Sequence, residues 1–174
     1  EMLFVTTASE TEALLLEYNL IKAHKPRFNI VLRDDKSFPY IQLCDDHRFP
    51  RLAFYRGARS AAGRYFGPFL NAGAVRDTLN QLQKLFRIRN CRDTFFANRS
   101  RPCLQHQIGR CTAPCVQLIA VDDYRSDVRH AEMFLEGRSS AVIDELVASM
   151  EQASKSLEFE RAASMRDQVA ALRG

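Results

Sequence analysis

The stretch ETEALLLEYNLIKAHK, residues 10–25, is rich in apolar side chains without strict alternation, and its two ends carry stop and start signals. Ser9 and Glu12 stand at capping-box spacing, the hydroxyl serving the Glu12 amide and the carboxylate returning to the cap. Pro26 has no N–H with which to continue a helix. A second helix is predicted over 72–86, where Val75, Leu79, Leu82 and Phe86 fall on one stripe and Asn71 supplies the cap. A third begins at Asp122 and ends at Gly137. Two more, over 141–154 and 159–172, make an αα-hairpin, with Leu146 and Met150 on one stripe and Phe159, Ala162, Val169 and Leu172 on a looser one. Strands are expected at Leu3 to Thr6, Arg27 to Leu32, Tyr40 to Leu43 and Leu52 to Tyr55, with Tyr65 to Phe69 a further strand or an extended stop. Residues 87–118 follow neither period. The expected fold is α+β: a small, mostly antiparallel sheet with packed helices, then a Cys-rich irregular region, then a C-terminal helical hairpin.

Composition narrows the class. With 174 residues and 46% hydrophobic content the chain has material for one domain and an appendage, or two small domains, and is no disordered tail. No apolar run is long enough to span a bilayer, and the first residues lack the basic start of a signal peptide, so a soluble, cytoplasmic protein without membrane contact is expected. Five cysteines fit a secreted disulfide framework poorly.

The net charge of +4 conceals a division. Residues 56–115 carry eleven basic and two acidic side chains, whereas residues 116–174 carry seven basic and eleven acidic ones. Arginine binds phosphate oxygens through a planar fork, and neutralising phosphates releases counterions, so the middle third is a candidate nucleic-acid surface. The competing reading is a solvated basic face paired within the protein. The candidate DNA-facing residues are Arg87, Arg89, Arg92, Arg99, Arg101 and Arg110. The acidic last third is better suited to a protein partner, and a hairpin with one unburied apolar face is a plausible docking module.

Two features carry candidate chemistry. Glu17 has Ala13, Leu14, Leu20 and Ile21 as its helical neighbours, all apolar, so a carboxylate there points inward or into a cleft. A buried salt bridge, a protonated acid or a bound cation would each satisfy it, and a structural Glu at the edge of the stripe is the plain alternative. Asn29, twelve residues on and beyond Pro26, is within reach of the same spot. Cys91, Cys103, Cys111 and Cys115, spaced C-x11-C-x7-C-x3-C, lie in the irregular stretch. Four thiolates in such a segment argue for a metal that orders it, zinc or an iron–sulfur cluster, against four unrelated reduced thiols. The spacing matches neither the tight pairs of common zinc sites nor the short ferredoxin run. Cys44, on a predicted strand, is read as packing.

The runs ETEALLLEYNLIKAHKPRFNIVLRDDKSFPYI, YFGPF, RSRPCLQHQIGRCTAPC and LEFERAASMRDQVAAL, in that order, resemble the UvrC family of excinucleases, the incision components of bacterial nucleotide excision repair. The resemblance covers essentially the whole chain. It implies the end of a GIY-YIG nuclease domain over 1–33, a basic Cys-rich middle region over 34–118, a linker helix over 119–138 and a UVR hairpin over 139–174. It further implies Glu17 as the carboxylate ligand of Mg²⁺ or Mn²⁺ and Asn29 as an active-site residue. For Cys91, Cys103, Cys111 and Cys115 it implies a [4Fe–4S] cluster, zinc being the alternative. The hairpin would dock onto UvrB, with Phe159 as apolar anchor and Glu160, Arg166 and Asp167 as polar contacts, and the wider partner would be damaged double-stranded DNA.

The family's GIY and YIG tripeptides and its catalytic Tyr and Arg would precede residue 1. Its RNase H-like nuclease and helix-hairpin-helix module would follow residue 174. The expectation is therefore a central fragment that does not incise DNA alone but supplies cluster binding, DNA contact and partner docking. A non-catalytic, metal-stabilised nucleic-acid-binding adaptor is the alternative, and a structural protein whose basic middle meets an acidic partner is a third.

Overall fold

A computed structural model of the chain describes residues 4–24, 26, 38–57 and 62–173. The predicted strand at Arg27 to Leu32 lies outside those residues, and residues 4–7 form no strand. Helix α1 spans Glu10–His24. Its capping box forms with one change: Ser9 Oγ accepts the Glu12 amide at 3.3 Å, but the Glu12 carboxylate accepts from the amide of Ala8, one residue before the cap, at 2.8 Å. Among the described residues no helix is long and apolar enough to cross a membrane.

The sheet has three strands, β1 (Pro39–Cys44), β2 (Arg51–Arg56) and β3 (Arg64–Phe66), with β1 in the middle and both neighbours antiparallel to it. Being central, β1 is buried on nearly every residue. Its buried amide side chain, Gln42, donates to Ala62 O at 3.0 Å and Tyr65 Oη at 3.3 Å. Gly63 enters β3 at φ +122°, and a Cβ there would sit 2.4 Å from Leu43 O, so only glycine admits that register.

Helix α2 (Ala72–Phe86) covers the sheet. Asn71 Oδ1 caps it by accepting the Ala74 amide at 2.8 Å. Val75, Leu82, Leu85 and Phe86 are buried, and they share one core with Ile41, Leu43, Leu52 and Phe66 of the sheet. The irregular stretch is partly helical, holding the short helices α3 (Asp93–Ala97) and α4 (Leu104–Gln107) and a 3₁₀ turn at Pro114–Val116. Single turns of this length carry no period, which is why the sequence pattern does not expose them.

Helix α5 (Val121–Leu135) packs on α2 through Tyr124, Val128, Ala131 and Met133, and Gly137 closes it at φ +79°. Helices α6 (Ser139–Lys155) and α7 (Phe159–Arg173) form the hairpin. The hairpin is anchored in the common core: Val142, Leu146 and Val169 are buried, and Gln168 Nε2 donates to Leu85 O at the end of α2 at 2.8 Å. At the other end of α5, Arg64 of β3 reaches Glu132 at 2.6 Å and Glu136 at 2.5 Å.

A candidate metal centre and a hairpin groove

The cysteine segment hangs on one buried polar frame. Arg89, 1% exposed, donates from Nε to Phe49 O at 2.7 Å, from Nη1 to Cys91 O at 3.0 Å and from Nη2 to Asp93 Oδ1 at 2.5 Å, with its guanidinium 4.6 Å from the Phe96 ring centroid. Tyr124, fully buried, accepts the Arg89 amide at 3.1 Å and donates to Pro50 O at 2.7 Å. Arg89 holds the Asp93 carboxyl below its usual range through that hydrogen bond. A buried guanidinium with its donors engaged is unavailable to a phosphate, so Arg89 does not belong with the DNA-facing arginines. Its charge is spent inside the protein.

The other five differ in position. Arg87, Arg92 and Arg101 are exposed. Arg99 is half-buried with its guanidinium 4.0 Å from the Phe95 ring centroid, and Arg110 donates to Asn80 Oδ1 of α2 at 2.5 Å.

Cys91 precedes α3, Cys103 sits at the N-cap of α4, Cys111 follows α4 and Cys115 lies in the 3₁₀ turn. His106 Nδ1 lies 2.9 Å from Cys111 O, tying the turn that follows Cys103 to the next cysteine. Ala113 and Gln117, on either side of the 3₁₀ turn, hold φ +52° and +58°, a conformation that costs a non-glycine residue on the order of 1 kcal/mol. Burial pushes the Cys111 thiol up to about 11, and the charges of Cys103, Cys91 and Cys115 add to the rise. Cys115 is also raised, by burial and then by Cys91 and Cys103. The four sulfurs therefore share one electrostatic neighbourhood. Coordination asks for closer approach: among the described residues no group of three or more His, Cys, Asp and Glu side chains is arranged to hold a metal ion. The donor chemistry, four sulfurs without a hard oxygen ligand, fits a soft metal or cluster. Cys44 is buried at the end of β1, apart from this set in sequence.

Glu17 departs from expectation. It is exposed, as are Ala13, Leu14 and Leu20, and of its four apolar neighbours only Ile21 is buried. Three successive leucines, 14–16, wrap around the helix, so apolar neighbours do not define an inward face there. Asn29 lies outside the described residues.

On the hairpin, a groove of about 470 Å³ opens between α6 and α7, walled by Met150, Lys155, Phe159, Ala162, Ala163 and Arg166. Phe159 is 64% exposed, an unusual state for a ring of that size. Arg166 reaches the groove while paired with Asp167 at 2.7 Å, whereas Glu160 and Asp167 are exposed and do not line it.

A small antiparallel sheet under one helix, a cysteine-bearing basic segment and a helical hairpin with an open groove make an α+β scaffold with a helical arm. Three family models match it in series: "UvrC-like GIY-YIG domain" over residues 1–30, "UvrC/Cho excinuclease, middle domain" over 38–134 and "UvrB/uvrC motif" over 140–174. The chain belongs to the UvrC family. It is 63% identical over 166 residues to UvrABC system protein C of Alkalilimnicola ehrlichii, covering 95% of this chain and 27% of that protein. The same-named protein of Pseudomonas aeruginosa is 58% identical over 167 residues, covering 96% of this chain and 28% of the relative. That of Ruegeria is 58% identical over 171 residues, covering 98% of this chain and 27% of the relative. The chain thus spans little more than a quarter of the length of these relatives. No solved structure matches it.

Sequence reasoning missed Tyr124, whose phenol joins Pro50 to Arg89 across the core. A tyrosine in the polar first turn of a helix, beside Asp122 and Asp123, gives no signal of burial.

Proposed function

We propose that this chain is the central segment of the UvrC component of the UvrABC excision nuclease, which acts with UvrB to incise damaged DNA on both sides of a lesion in nucleotide excision repair. Within that protein the segment docks onto UvrB through the α6–α7 hairpin, contacts damaged duplex DNA through its arginine-rich middle, and carries a [4Fe–4S] cluster on Cys91, Cys103, Cys111 and Cys115. The parent protein is a metal-dependent endonuclease, with Glu17 as a ligand of Mg²⁺ or Mn²⁺ and Asn29 as an active-site residue. The exposure of Glu17 is compatible with a ligand that meets its cation at a surface.

The observation that carries the reading is the groove between α6 and α7 with Phe159 at its wall, in the stretch that matches the UvrB/uvrC motif. An amphipathic groove with an exposed aromatic ring is the usual form of an interface anchor. The open side is not where the hairpin meets its own protein, since Val142, Leu146 and Val169 serve that purpose. Phe159→Ala in the full chain is expected to weaken binding to UvrB at least roughly thirtyfold, the scale of a hot-spot residue. Its melting temperature should stay close to the parent's, because the ring is mostly solvated already. Undiminished affinity in a calorimetric titration would move the docking surface elsewhere.

A further inference from the structure

Between β2 and the end of α2 lies a depression of about 370 Å³ walled by Arg51, Phe54, Gln83, Arg89, Asn90 and Arg92. Among the described residues no carboxylate lines it. Asp93 feels the charge of Arg51, yet its Oδ1 takes the hydrogen bond from Arg89, so that nearby carboxylate is already engaged. Arg92 and Asn90 are exposed and complete the wall. Phe54, 38% exposed, flanks the depression, and the Arg76 guanidinium stands 5.7 Å from its ring centroid.

We infer that this depression is a phosphate seat, lined by the Arg51 and Arg92 side chains and by Asn90. The pairing of a guanidinium fork with amide donors and no competing anion is the chemistry that recognises a phosphoryl oxygen. The adjacent exposed ring offers a stacking face to a base, which selects a nucleic-acid phosphate over a free one. The inference deepens the proposed DNA contact and rests on it: it names where, beside Cys91, one backbone phosphate is held. Arg89 acts here only as a wall, because its donors are occupied.

The test uses the full chain and two readouts. The first follows the Arg92 Nε–H and Asn90 side-chain amide resonances while inorganic phosphate, and separately a short DNA duplex, is added. The second measures duplex affinity against salt for the parent and for Arg92→Gln, a surface substitution that leaves the fold alone. Shifts of both resonances with duplex are expected, together with a roughly fivefold loss of affinity at about 0.15 M salt and a salt slope lower by about one for Arg92→Gln. Shifts with inorganic phosphate but unchanged duplex affinity would overturn the nucleic-acid assignment and leave a free-phosphate site. Resonances indifferent to both probes would overturn the seat. A parent chain with no salt-dependent duplex affinity would sink the wider DNA reading, while the phosphate titration would still decide the seat.

Discussion

Arg89 and its neighbours in sequence look alike on paper and do opposite things in space. Arg87 and Arg92 face solvent, while Arg89 turns inward to gather Phe49 O, Cys91 O and Asp93. Two of those partners are local, but Phe49 lies 40 residues away, and the Tyr124 phenol that fixes the Arg89 amide lies 35 residues away on the other side. Local pattern exposes the arginines as a group; it does not tell which one the tertiary fold withdraws. The same holds for Glu17, most of whose apolar neighbours are themselves exposed. Tyr124→Phe would strand the Arg89 amide without its acceptor and Pro50 O without its donor, both buried. We expect the variant to lose about 1–3 kcal/mol of stability by chemical denaturation. A denaturation midpoint equal to the parent's would mean that the phenol does not hold the frame.

At the scale of elements, the helices with one clean stripe and a named cap are the legible ones. Asn71 and the α2 stripe act as written, and the β1–β2 pairing follows from two short apolar runs joined by a polar turn. The short helices of the cysteine segment carry no period and escape such reading. So does the seam where α5 meets the hairpin, because charged and polar side chains are mixed into it. There a cavity of about 280 Å³ is lined by Asp123, Asp127, His130 and Arg161 among others. Burial, and then the charge of Asp123, push Asp127 up to about 7, with Arg87 and Arg161 opposing the shift. An unfolded aspartate releases its proton near about 4, so between about 4 and 7 the folded chain holds the extra proton. Stability from this group therefore falls as pH rises through that window and is lowest above it. Asp127→Asn should be more stable than the parent at about pH 8, by on the order of 2 kcal/mol, with the gain vanishing below about pH 4. Burial lowers the His130 pKa and gives the opposite slope, stability being lost as pH falls through about 6.5, but His130 is present in both proteins and leaves the difference largely intact. Parallel pH–stability curves for the two proteins would contradict the assignment.

Across the whole molecule, charge is sorted by segment: the basic middle and the acidic last third meet at few points among the described residues, Arg64 with Glu132 and Glu136 being one. That sorting leaves Arg87, Arg92 and Arg101 exposed on the middle segment, and the groove lies apart from them on the acidic last third. The order of motifs, and with it the family, is readable in the sequence. The shared neighbourhood of the sulfurs is not, since it depends on Arg89 and Tyr124 fastening the segment to the sheet and α5. We propose that this fastening readies Cys91, Cys103, Cys111 and Cys115 for one inorganic centre. Metal and sulfide analysis of the full chain, purified without oxygen, tests it most directly. About four irons with matching labile sulfide per chain are expected, lost together in Cys111→Ser, as four-cysteine ligation of a [4Fe–4S] cluster requires. Stoichiometric zinc, or no metal at all, would contradict it.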